Sequence, residues 1–236
     1  DCEGPALQRF GYVGLITMMK KDETKMIVIV DAVRTAMGGF QGSLSSCTAP
    51  DLGAVVIKEA VARAGLSAND IDEVIMGCVL PAGLKQGPAR QAMRQAGLPD
   101  STGATTINKI CGSGMKAVMQ AADAIKAGSA EIVVAGGMES MSNAPYLMDK
   151  ARAGFRMGHG KVIDHMFQEG LEDAETGLSM GILAQEMADK KGYTREQQDA
   201  YAIGSLNKAV TAVQQGFFKD EIVPVTVSSR KGDVVV

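Results

Sequence analysis

Between Met26 and Gly137 short β-branched runs alternate with longer segments of helical periodicity, and few folds accommodate that order. Met26-Ile27-Val28-Ile29-Val30 is a continuous apolar run, which predicts a strand buried on both faces. A Gly/Ser-rich loop, Gly38 to Ser46, separates it from a helix opened by Ala49-Pro50-Asp51 and stopped at Gly65. Val74-Ile75-Met76-Gly77 is a second strand. A helix then starts at Pro88 and ends at Gly97, with Pro99 beyond. Thr105-Thr106-Ile107-Asn108 is a third strand. After Cys111 a helix places Met115, Val118, Met119, Ala122 and Ile125 at offsets 0, 3, 4, 7 and 10, read as its core-facing stripe. Ile132-Val133-Val134-Ala135 completes the series. The alternation predicts a layered α/β domain, 26–137, with a largely parallel sheet.

Beyond Gly137 the pattern breaks. Residues 138–178 are rich in Met, Gly and charge, without a clean period. Helices are predicted over 180–191 and 194–215, the second opened by the capping box Thr194-Arg195-Glu196-Gln197. Phe217 to Val227 reads as extended, and Lys231-Gly232-Asp233 as a hairpin turn before Val234-Val235-Val236. A forty-residue irregular stretch is unusual in a compact domain unless it has a task, so 138–236 is read as an excursion from the α/β core, incomplete at its C-terminus. Residues 1–25 are set apart. Their flank, Asp1 and Glu3 against Arg9, has the wrong polarity for a secretory signal. They are read as a vector-encoded or upstream-translated extension and left out of fold reasoning.

Composition narrows the function. Net charge is −3 and aromatics are 4%, so neither a basic field nor a stacking platform exists for nucleic acid. No apolar run approaches the ~20 residues of a membrane span, and no membrane partner is expected. Cys2, Cys47, Cys78 and Cys111 are widely spaced, no CxxC occurs and there are two histidines. That argues against a zinc site or a disulfide scaffold and for reduced thiols in the cytosol. No cofactor or metal is expected.

The stretch Asn108-Lys109-Ile110-Cys111-Gly112-Ser113-Gly114-Met115-Lys116 is the most informative. It puts a cysteine at a strand-to-helix junction, where the free N–H groups and positive end of the helix dipole favour a thiolate. Gly112 and Gly114, poor helix formers, sit in the first turn. Their missing Cβ atoms would let a bulky acyl donor reach the sulfur and leave N–H groups open to an oxyanion. The residues alone fit equally well a structural cysteine before a glycine-softened helix start, since His159 and His165 both lie in the irregular segment. Lys150, Arg152, Arg156 and Lys161 could meet phosphates, but with Asp149 and Asp164 beside them they read as a solvated, subunit-contacting loop. Glu172, Asp173 and Glu175 read as a solvated face, and Gly136-Gly137 as a tight turn. Cys47 and Cys78 carry no mark of a nucleophile.

With these residues in view, the chain resembles the thiolase family, acetyl-CoA acetyltransferase type. "NKICGSGMKAV" from Asn108 is similar to that family's nucleophile motif. "VIVDAVRTAMGGFQGSL" from Val28, "GCVLPAG" from Gly77, "PARQA" from Pro88 and "VVAGGMESMS" from Val133 resemble further landmarks in order. So do "RMGHGKVIDHMFQEGLEDA" from Arg156, "EQQDAYAIGSLNKA" from Glu196 and "FKDEIVPV" from Phe218. Ala36 stands where the family usually has proline, and Ser179 where many biosynthetic members carry histidine.

The resemblance implies a layered α-β-α half of the thiolase fold, followed by a loop domain, 138–236, for CoA binding and tetramerisation. It implies condensation of two acetyl-CoA into acetoacetyl-CoA, or the reverse thiolysis, through an acyl-enzyme on Cys111. Leu171, Ser179 and Met180 match substrate-binding positions. CoA, acetyl-CoA and acetoacetyl-CoA are the implied small-molecule partners, and a cytoplasmic homotetramer the implied assembly. The family's Gly-His-Pro histidine, "NEA" asparagine and "CxGGG" cysteine belong to a second half, and no such motif occurs in these 236 residues. They are therefore expected not to turn over alone. Two readings rank behind: a degradative 3-ketoacyl-CoA thiolase of longer chains, and a non-catalytic assembly module.

Overall fold

The computed structural model describes residues 13–19, 26–230 and 232–236. The chain separates into two compact units, one running to Ala144 and resuming with Val223–Val236, the other Pro145–Ile222. The first unit is built as β1 (Val13–Met19), β2 (Met26–Thr35), α1 (Ala49–Arg63), β3 (Glu73–Gly77), α2 (Pro88–Gln95), β4 (Gly103–Ile107), α3 (Ser113–Ala127) and β5 (Ile132–Gly137). Its sheet runs β4-β3-β5-β1-β2, and a short strand at Ile222–Val223 ends the order beside β2. β3 pairs in parallel with both β4 and β5, whereas β1 is antiparallel to both its neighbours.

The alternation along the strands explains the layers. Val74 and Met76 of β3, with Val134 of β5, face Ile57 of α1 and Met93 of α2. Ile75, Val133 and Ala135 point to the other side, against Ala117, Ala121 and Ile125 of α3. Two helices on one face and one on the other make the expected α-β-α arrangement. Local chemistry fixes the helix starts. Thr48 and Asp51 form a capping box at α1. α2 begins at Gly87, which has φ 55° and no side-chain cap. Its Ala89 N–H is taken instead by the Thr106 hydroxyl of β4 at 2.9 Å.

Three sequence expectations change. Met26–Val30 is not buried on both faces: Ile29 is 61% exposed, because α3 packs chiefly over β5 and β3 and hardly reaches β2. The buried face of α3 is not the methionine stripe but Ser113, Ala117, Ala121 and Ile125, spaced four apart. Met115 and Met119 are 61% and 50% exposed. Small side chains let the helix axis approach the sheet and turn the longer ones outward. Third, residues 1–25 cannot be set aside as a whole, since Val13–Met19 lies inside the sheet. The rest of that extension, Cys2 included, and Lys231 of the expected turn lie outside the described residues.

The excursion is also narrower than 138–236. Residues 138–144 and 223–236 belong with the first unit. The turn at Ser140–Asn143 is tied to the loop after β2: Ser140 Oγ donates to the Cys47 carbonyl at 2.8 Å, and Asn143 Nδ2 to the Ser45 and Cys47 carbonyls at 2.9 Å each. In the second unit β6 (Tyr146–Leu147) pairs with β7 (Ile163–Asp164), and α4 (Met180–Lys191) and α5 (Arg195–Gln214) follow. Thr194 and Gln197 form the capping box of α5. Residues 215–221 are turns rather than extended chain; after β8 (Ile222–Val223), β9 (Thr226–Val227) pairs with β10 (Val234–Val235) as the hairpin expected there.

Candidate active site

The site forms where β4 ends and α3 begins. Ile107 is the last strand residue and Ser113 the first helical one, so Asn108–Gly112 must reverse the chain in five residues. They do so through Ile110, whose φ of 48° is a left-handed conformation that a β-branched residue adopts only under constraint. The constraint is visible. Asn108 Oδ1 accepts the Ile110 N–H at 2.9 Å. The Ser113 hydroxyl accepts the Lys109 N–H at 2.8 Å and donates to the Ile110 carbonyl at 2.6 Å. Ser113 is buried, so one side chain staples both sides of the turn from within. Cys111 follows the strained residue and is exposed.

Glycines on three elements let this turn sit where it does. A Cβ on Gly77, the last residue of β3, would lie 2.5 Å from Cβ of Ser113 and 2.9 Å from N of Gly114. A Cβ on Gly137, the last of β5, would lie 3.3 Å from Cα of Gly114. The start of α3 therefore rests directly on the C-terminal ends of two parallel strands. At Gly114 itself an added Cβ would sit 3.5 Å from N of Gly137, an ordinary van der Waals contact, so the tight positions are Gly77 and Gly137. Gly112 keeps the open setting, its nearest atom being the Lys109 carbonyl oxygen at 3.4 Å. The Gly112 and Ser113 N–H groups, expected to be open, are engaged inside the turn by the carbonyls of Lys109 and Ile110 at 3.1 and 3.0 Å.

Cys78 lies one residue past β3 and has a different character. It is buried, and Glu139 accepts the Val79 and Leu80 N–H groups at 2.7 and 3.2 Å with the Cys78 sulfur 3.7 Å away. Burial first, and the Glu139 charge second, push this thiol up to about 12. It stays protonated and inert. Glu139 also lines a cleft of about 590 Å³ between the loop after β2 and the turn after β5, with Arg34, Phe40 and Met138 in its walls. Cys111 does not line it. Sequence reasoning passed over Glu139 and Ser113; the signal for Ser113 was its place two residues after a cysteine at a helix start.

Within the second unit, Leu171 and Met180 each lie one residue outside a backbone bridge between Glu172 and Ser179. Leu171 ends a single π-helical turn, and Glu172 bridges Ser179 across a loop closed by Asp173, whose carboxylate accepts the Thr176 N–H and hydroxyl at 2.8 and 2.7 Å. These bonds hold the Asp173 carboxyl below its ordinary range. Ser179 is the N-terminal cap residue of α4 but makes no capping bond, and Met180 is exposed. Among the described residues no cluster of His, Cys, Asp and Glu is placed to hold a metal ion, and no helix is long and apolar enough to cross a membrane.

Residues 27–236 match the family described as thiolase, N-terminal domain. Among curated proteins, the chain is 56% identical over 209 residues to the acetyl-CoA acetyltransferase of Cupriavidus necator, covering 89% of this chain and 53% of that one. It is 54% identical to the acetyl-CoA acetyltransferases of Pseudomonas aeruginosa and Escherichia coli, over 207 and 208 residues, in each case 88% of this chain and 53% of the relative. The chain thus spans about half the length of the curated relatives it matches. It belongs to the thiolase family, of which it carries the N-terminal domain.

Proposed function

We propose that this chain supplies the acyl-accepting half of an acetyl-CoA C-acetyltransferase. The observation that carries the reading is an exposed Cys111 held at the start of α3 by a strained, internally stapled turn. A backbone fixed this way presents the exposed thiol from a set position, which favours nucleophilic attack. In the step assigned to this chain, the Cys111 sulfur attacks the acetyl-CoA carbonyl and the carbon–sulfur bond to CoA breaks. The thiol proton ends on the departing CoA sulfur. Leu171, Ser179 and Met180 are assigned to the thioester arm of CoA. Carbon–carbon bond formation needs a base to remove the α-proton of a second acetyl-CoA, and the family resemblance assigns that base to residues these 236 do not include. The same resemblance supports CoA, acetyl-CoA and acetoacetyl-CoA as the partners, no cofactor, a homotetramer and a cytoplasmic setting.

The test is an intact-mass measurement of the chain after mixing with acetyl-CoA, followed by peptide mapping. A single acetyl group on Cys111, absent in Cys111→Ala and accumulating without acetoacetyl-CoA, is the expected result. Failure to acetylate a folded chain whose Cys111 reacts freely with iodoacetamide would overturn the proposal.

A further inference from the structure

β3, β4 and β5 run parallel and end side by side, at Gly77, Ile107 and Gly137. Main-chain bonds tie the residue past one strand to the end of the next. Cys78 N–H donates to the Ile107 carbonyl at 3.0 Å, and Met138 N–H to the Gly77 carbonyl at 2.9 Å. One residue further on, side chains take over. The half-buried Glu139 accepts the Val79 and Leu80 N–H groups. Asn108 Nδ2 donates to the carbonyl of the same Val79 at 3.4 Å, while its Oδ1 accepts the Ile110 N–H at 2.9 Å. Val79 is thus held through its N–H by one side chain and through its carbonyl by another. An unbroken series of bonds leads from Glu139, by way of Val79 and Asn108, to the left-handed Ile110 that precedes Cys111.

The residue types suit the series. A carboxylate is acceptor-only, so it takes two consecutive N–H groups without turning a hydrogen towards either, and its charge strengthens both bonds. Glutamine has one acceptor oxygen and would set an NH2 group against the second N–H. The carboxamide of Asn108 is used at both ends, as donor to Val79 and acceptor from Ile110. Aspartate there would keep the acceptor for Ile110, as any Asx turn allows, but would set a carboxylate oxygen against the Val79 carbonyl. We propose that Glu139 is a positioning residue for Cys111: it fixes Val79, whose carbonyl orients the Asn108 amide, which holds Ile110 left-handed. The proposal rests on the reading of Cys111 as acyl acceptor.

Hydrogen exchange read at single amides, together with the rate of Cys111 alkylation by iodoacetamide, tests this on the intact chain. In Glu139→Gln the Ile110 amide is expected to exchange about tenfold faster, along with those of Val79 and Leu80, although no bond to Ile110 itself has been removed. Asn108→Asp is expected to release Ile110 to the same degree, and it decides the matter should Glu139→Gln not fold. Both variants should change Cys111 alkylation severalfold, and the double variant no further than Asn108→Asp alone. Thr102→Val is the control for stability. It removes a buried bond at the opposite end of β4, from the Thr102 hydroxyl to the Ile71 carbonyl at 3.1 Å, and should leave Ile110 and Cys111 unaffected. Release of Val79 and Leu80 in Glu139→Gln with Ile110 still protected would overturn the proposal. So would an Ile110 still protected in Asn108→Asp, additive effects in the double variant, or an equal response to Thr102→Val. None of these readouts needs acetyl-CoA, so a Cys111 that fails to acetylate counts against the function proposed above, while the role of Glu139 in the turn is decided at Ile110.

Discussion

Gly77→Ala tests the claim that the candidate nucleophile is positioned by close packing of α3 on strand ends. The added methyl would lie 2.5 Å from Cβ of Ser113, 2.8 Å from its carbonyl carbon and 2.9 Å from N of Gly114. Non-bonded carbon atoms settle about 3.5–4.0 Å apart, so the first turn of α3 must withdraw by roughly 1 Å. Two of the three obstructing atoms are backbone, and no rotamer change can relieve them. Overfilling a packed site costs about 1–3 kcal/mol. Withdrawal also strains the Ser113 hydroxyl bonds to Lys109 and Ile110, worth about 1 kcal/mol net apiece. The combined loss is about 2–4 kcal/mol, or a fall of about 1–2 M in the urea midpoint at a slope near 2 kcal/mol/M. Gly112→Ala is the control: its methyl meets only the Lys109 carbonyl oxygen at 3.4 Å, and its φ is −88°. That change should cost less than about 1 kcal/mol. Urea unfolding followed by circular dichroism reads the difference, and alkylation of Cys111 at neutral pH reads the displaced turn. Equal midpoints for the two variants, with equal Cys111 alkylation rates, would refute the packing argument.

Ser113→Ala removes both staples of the turn and leaves the Lys109 N–H and Ile110 carbonyl short of a partner. It is expected to cost about 1–3 kcal/mol, read by the urea midpoint, and to slow acetylation of Cys111, read by mass spectrometry. Cys78 should resist iodoacetamide in the folded chain at pH 8 while Cys111 is modified, checked by peptide mapping. Because folding raises the Cys78 pKa, its contribution to stability is intact below the pKa of the unfolded thiol, about 8.5. Between there and about 12 the unfolded chain gives up a proton that the native chain keeps, so stability falls as pH rises. Cys78→Ala should flatten that decline in a pH series of urea midpoints. Thr194→Ala breaks the capping box of α5 and should remove about 1 kcal/mol, seen as earlier loss of helical signal on heating.

The parts of this fold that were legible in the sequence are those where one local signal decides. Pro88, Thr194 with Gln197, and the β-branched run at Ile132 each act within a few residues, and the observed α2, α5 and β5 follow them. What was not legible depended on partners far along the chain. Ile29 is apolar like its neighbours, yet it is exposed because α3 hardly reaches β2. The cap of α2 is a threonine eighteen residues after its first residue, Pro88. Val13–Met19 was discarded with the odd composition around it, although seven uncharged residues bounded by Tyr12 and Lys20 are long enough for a strand.

The candidate site shows why composition misleads most where packing is tightest. Periodicity assigned Met115 and Met119 of α3 to the core because large apolar residues normally lie there. A helix that must bring its first turn onto Gly77 and Gly137 has no room for large residues on the inner face near that turn, and Ile125 enters only at the far end. It carries Ser113, Ala117 and Ala121 instead, and hydrophobicity scales rank those below methionine. The same demand for short distance that displaced the methionines outward also places Ser113 where its hydroxyl can hold Ile110 in a left-handed conformation, one residue before the thiol. Small residues on the inner face of α3 and a strained residue before Cys111 are thus two consequences of one constraint. Enlarging Ala117 should therefore disturb Cys111, six residues away, through the helix rather than through any direct contact.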